Sequence, residues 1–270
     1  MPRATLLRAA IAAVLLIALA CGDGAGEKPA PTPEGTRKPT PTTVPIPHVT
    51  IAAGAACNAA GIRADLDPFY CWAVDIGGVA LVASAAVSSA TVNTAAESVA
   101  EMLRFREDIR ERLARLGPKI IIVGPNELIT DAPELRHMSN SSLYDDRGYG
   151  QLRGWSGGVI AAVGAEGIVG LDAVSTGRDD VMVHEFAHML HALGLTTDEW
   201  TASRTLYSRS LAKGRWQGTY AGRNYSEFFA ELTQIYFGVK GPAYEANGPD
   251  ELRQYDPESA DYLEQVYGPR

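Results

Sequence analysis

Residues 184–188 read His-Glu-Phe-Ala-His, and this pentapeptide restricts the fold more than any other feature of the chain. Side chains four apart share one face of a helix, so His184 and His188 can close on one zinc ion only where this stretch is helical and that face stays open. A zinc site needs further ligands, so a second element has to pack across the same face. Glu185 lies between the histidines, placed to reach a water on the metal. The ordinary alternative is an amphipathic helix whose histidines are satisfied by hydrogen bonds.

Tyr220 to Glu231, reading YAGRNYSEFFAE, supplies a candidate second element. Glu227 and Glu231 are four apart in a segment that reads as helix, so they share a face; one would bind the metal and the other would support it. Asn224 followed by Glu227 also fits a helix N-cap with its capping-box partner. The three-histidine variant of the motif is excluded, because it requires glycine at 191 and histidine at 194, where this chain has His191 and Gly194. His191 sits at a spacing that core packing also produces, and it is left outside the site.

HEFAH, a tyrosine seven residues before a glutamate, and EFFAE together resemble the catalytic-domain family of anthrax lethal factor. These are zinc metallopeptidases that include small secreted proline-specific endopeptidases. The likeness covers the HEFAH helix, Tyr220 to Glu231 and, more loosely, the Gly-rich stretch from Arg153 to Leu171. It implies a zincin-like α+β domain that holds Zn2+ through His184, His188 and Glu227. It further implies Glu185 as general base, Tyr220 as the donor that stabilises the oxyanion, and Glu231 as a carboxylate behind a ligand histidine. Only the offset singles out Tyr220 from Tyr207, Tyr225 and Tyr236. In such a fold an edge strand beside the zinc can pair with an extended peptide substrate. The region from Trp155 to Val163 is the candidate, with Trp155 lining a pocket or filling the core, and Gly157 and Gly158 permitting close approach or serving only a turn.

The first twenty residues carry Arg3 and Arg8 ahead of an apolar run from Ala9 to Ala20, which suits a secretory signal better than a membrane span. Ala18-Leu19-Ala20 before Cys21 satisfies ordinary signal cleavage and also resembles a bacterial lipobox. The segment 21–48 favours lipidation of Cys21, since its Pro-Thr pairs tend to polyproline II and suit a tether on a cell-surface lipoprotein; a disordered leader in a freely secreted protein fits the same composition. Cys57 and Cys71 are then expected to form a disulfide, as thiols outside the cytosol readily pair.

Residues 49–270 are enough for one domain with a sizeable core. Without the leader, 22 basic and 32 acidic side chains leave a net charge of about −10, so nucleic acid is an unfavoured partner. Val79 to Val87 reads as a buried strand, Val92 to Leu116 as one helix closed by Gly117-Pro118, and Lys119 to Val123 as a strand, together a crossover unit in a small mixed sheet. A loop is expected from Thr130 to Gln151, and a hairpin from Val159 to Val163 with Ile168 to Leu171. The HEFAH helix should run from near Arg178 to near Gly194, and the remainder is mainly helical, including Asn224 to Phe237 and Pro257 to Tyr267. The expected function is a zinc endopeptidase acting on extended peptides outside the cytoplasm; a catalytically inactive surface binding protein of the same fold is the alternative.

Overall fold

In the computed structural model, described residues are 66–139, 152–171, 179–240 and 246–270. The signal, the linker with Cys21, and Cys57 lie outside them. Strand β1 (Tyr70–Ile76) turns through Gly77 and Gly78 into β2 (Val79–Ser84). Both glycines have positive φ, 60° and 93°, as a two-residue hairpin with the right twist requires. At Gly78 a Cβ would also lie 2.4 Å from that of Ala114. Helices α1 (Ser89–Met102) and α2 (Glu107–Leu116) then lead to β3 (Lys119–Val123), and β4 (Gly154–Gly157) and β5 (Ile160–Gly164) complete the sheet.

Spatial order is β1-β2-β3-β5-β4. β2, β3 and β5 run parallel, while β1 and β4 pair antiparallel at the two edges. The crossover from β2 to β3 is the one read from the sequence, and the whole is α+β with a small mixed sheet. Alternation along the strands divides the core between two faces. Leu81, Ala83, Ile120, Ile122, Ala161 and Val163 belong to the larger cluster with the helices, whereas Val82, Ile121, Val123 and Ala162 pack with Ile129, Leu135 and Met138 on the other face. There Tyr70 and Lys119 both bond Glu134.

Two expectations change. The single helix from 92 to 116 is broken at residues 103–106, where Arg106 makes two bonds to Asp108, at 2.8 and 2.9 Å, and one to Glu199 at 2.5 Å. The break turns Ile109 and Leu113 of α2 toward Gly194, whose added Cβ would lie 2.9 Å from Ile109 Cγ2. The hairpin is β4 with β5, and residues 168–171 form no strand. Their backbone is instead fixed by Asp180, whose Oδ2 accepts from Val169 N at 2.8 Å and Gly170 N at 2.7 Å.

The remaining described chain is helical: α3 (Val181–Met189), a wider π turn at Leu190–Gly194, α4 (Thr197–Ala212), α5 (Tyr225–Tyr236), α6 (Pro249–Tyr255) and α7 (Pro257–Tyr267). Among the described residues no helix is long and apolar enough to cross a membrane. Cys71 is buried on β1 and is not a free thiol.

Candidate metal centre

Helix α3 starts at Asp180, a fully buried N-cap whose Oδ1 accepts from Val183 N at 2.9 Å. With residues 169 and 170 held by the other oxygen, this one carboxylate satisfies three backbone donors and fixes the start of the HEFAH helix. Helix α5 packs across α3. It starts at Asn224, whose Oδ1 accepts from Ser226 N and Glu227 N, both at 2.9 Å. The capping role read for Asn224 therefore holds, but the Glu227 carboxylate points at the histidines rather than back to the cap.

The packed pair brings three donors together. His184 Nε2 and His188 Nε2 are 3.0 Å apart, and Glu227 Oε2 lies 3.1 Å from the first and 3.3 Å from the second. Behind them, His184 Nδ1 faces Glu231 Oε1 at 3.1 Å, while His188 Nδ1 is 2.9 Å from Ser226 Oγ. Once each Nδ1 carries the proton that bonds this outer partner, two lone pairs and a carboxylate point at a common centre. That arrangement demands positive charge. Burial works against charge on His184, yet bonds to Glu227 and Glu231 and the field of Glu185 raise its pKa to about 10. Burial likewise opposes charge on Glu227, but the two histidines hold it down at about 2. Two imidazoles and one carboxylate are the N and O donor set that zinc accepts, and tetrahedral bonds of about 2.0–2.1 Å put ligand atoms about 3.3 Å apart.

Glu185 leaves α3 on a different bearing. It is 8 % exposed, and burial, assisted by the charge of Glu227 and opposed by the histidines, pushes its pKa up. It reaches the edge strand: a Cβ on Gly154 would lie 2.5 Å from Glu185 Oε1 and 2.5 Å from Val181 Cγ1. Glycine here leaves the carboxylate its room. Gly154→Ala should displace the Glu185 carboxylate, at a stability cost of about 1–3 kcal/mol. Urea unfolding of wild type and variant measures that cost, and unchanged stability would show that Glu185 does not depend on this space.

Tyr220 is 39 % exposed, its ring 6.2 Å from that of His184 and capped by the Arg223 guanidinium at 4.3 Å. Trp155 is half-buried in the smaller cluster, on the sheet face turned away from α3, and its ring covers Gly157. Gly158 takes the left-handed conformation in the β4–β5 turn, φ 57°. His191 is buried in the π turn, 2.7 Å from Ser203 Oγ and stacked on Phe229, away from the donors.

Burial of His191, with the charge of nearby His188, pulls its pKa down to about 4. The unfolded chain takes up this proton near pH 6.5, whereas the folded protein waits until about 4. The contribution of this residue to stability should therefore be flat above 6.5 and fall between 6.5 and 4, by about 3 kcal/mol. Urea unfolding at pH 7 and pH 4 checks it: the wild type should lose more stability over the interval than His191→Gln, and equal losses would contradict the assignment.

Three residues of the site were missed from the sequence. Gln234 Oε1 lies 3.1 Å from His184 Nδ1, Ser226 backs His188, and Lys240 lies behind Glu231 at 3.0 Å. Gln234 had a signal, since 227, 231 and 234 follow one helix face. Ser226 and Lys240 had none, for one borders the helix start and the other follows its end.

No protein-family model matches the sequence, and no curated protein does. Among solved structures, a Pro-Pro endopeptidase from Paenibacillus alvei is similar at 17% identity and a TM-score of 0.48, over 69% of this chain and 97% of that one.

Proposed function

We propose that this chain is a zinc-dependent endopeptidase that hydrolyses extended peptide segments outside the cytoplasm. The observation that carries the reading is the convergence of His184 Nε2, His188 Nε2 and Glu227 Oε2 beside a buried Glu185 that is not one of the three. Three protein donors leave a fourth position open, as a catalytic site needs and a closed structural one does not. When bound, zinc supplies a Lewis acid that brings the pKa of an attacking water to about 7 and shares the charge of the oxyanion.

The chain's own residues do the rest. Glu185 takes the water's proton and passes it to the leaving amine; the upward push on its pKa narrows the gap between those two tasks. Tyr220 donates its hydroxyl to the oxyanion, a type of contact worth about 3 kcal/mol. Glu231 and Ser226 accept from the Nδ1 atoms of the ligand histidines and fix their ring planes. Among the described residues β4 has no partner on its outer side, so an extended peptide can add there through main-chain bonds. Trp155, Gly157 and Gly158 would then meet the substrate residues directed to the far face.

Export by the leader, anchoring through Cys21 and a disulfide between Cys57 and Cys71 complete the proposal and suit a surface enzyme. A mixed peptide library incubated with the zinc-loaded protein and read by mass spectrometry tests it. Zinc-dependent internal cleavage is expected; intact peptides in the presence of bound zinc would favour a binding protein instead.

A further inference from the structure

We propose that Lys240 is a positioning residue of the metal centre, acting through Glu231 to hold the His184 imidazole with Nδ1 as donor and Nε2 toward the metal. This rests on the zinc reading above. Lys240 follows the end of α5, where Gly238 at φ 72° reverses the chain and Val239 O accepts from Asp180 N at 3.0 Å. The reversal brings the Lys240 ammonium between the start of α3 and the last turns of α5, where the residue is only 7 % exposed. Burying an ammonium is costly, so it has to be compensated by close partners.

Those partners lead to His184. The ammonium lies 3.0 Å from Glu231 Oε2 and donates to Glu231 Oε1 at 3.1 Å, to Asp179 Oδ2 at 3.0 Å and to Gln234 Oε1 at 3.4 Å. Glu231, 2 % exposed, is thus held between Lys240 and His184 Nδ1. Gln234 cannot reverse its amide, because its Nε2 donates to Asp180 O at 2.8 Å; its oxygen must face both Lys240 and His184. Two acceptors therefore surround His184 Nδ1, and both also face one ammonium. Replacing Lys240 by an apolar group removes this ammonium from beside the buried Glu231 and lets the carboxylate shift from the imidazole, loosening the ligand that Glu231 orients.

Zinc affinity, measured by chelator competition, tests this. Lys240→Met should bind zinc about tenfold or more weakly, the size expected for a partner behind a ligand. The same substitution made in a Glu231→Gln background should change affinity by less than about twofold, because its effect runs through that carboxylate. A merely structural lysine would cost the same in both backgrounds. If the methionine variant does not fold, Lys240→Gln, which keeps a donor but no charge, should still weaken zinc at least threefold, roughly. Unchanged affinity in these single variants, or equal losses in both backgrounds, overturns the role of Lys240 while wild-type zinc binding leaves the metal site intact. A wild type that binds no zinc overturns both.

Discussion

Glu185→Gln is expected to lower peptide cleavage by about 10²–10⁴-fold while one zinc per chain stays bound. The amide fills the same volume beside Gly154, so the site's shape survives, but it cannot take a proton from the attacking water. Glu185 is not among the three converging donors, so metal content should not follow the loss. Single-turnover rates and metal analysis on the same sample check both halves. Unimpaired cleavage by the variant would remove Glu185 from the mechanism.

The second large effect is removal of the metal. Stripping zinc with a chelator should abolish cleavage and also destabilise the fold, because the three donors then face one another without a shared cation. Free zinc at about a hundred times its Kd adds about 2.7 kcal/mol to the folded state, on the order of 5–10 °C in Tm for a domain of this size. Glu227→Ala deletes one donor and should reduce that thermal response to a small fraction, with activity lost. Calorimetry of wild type and variant, with and without zinc, measures it. An equal rise in Tm for both proteins would place the metal elsewhere.

Much of this centre was legible because its ligand spacing is a property of single helices. His184 and His188 are one turn apart on α3, Glu227 and Glu231 one turn apart on α5, and periodicity alone puts each pair on one face. The strand Lys119–Val123 and the helix Pro257–Tyr267 have the limits read from the sequence, since the apolar run Ile120 to Val123 close behind Gly117-Pro118 and a proline at the first helical position are local signals. Local signals failed where pairing decides. β4 is Gly-Trp-Ser-Gly, with little strand propensity of its own, and exists because β5 supplies its partner. The break between α1 and α2 preserves amphipathic spacing on both sides and is fixed by Arg106 and Asp108 at the start of α2 together with Glu199 of α4. Gln234 meets His184, and Lys240 reaches Asp179, only after α3 and α5 have packed, so no spacing along one helix could reveal the buried ammonium.

Diffraction from zinc-loaded crystals at the zinc absorption edge locates the metal against its proposed ligands. One anomalous peak is expected, about 2.0–2.1 Å from His184 Nε2, His188 Nε2 and a Glu227 carboxylate oxygen, with no fourth protein ligand. A peak bound elsewhere, or one closed by a fourth side chain, would contradict a catalytic zinc at this site.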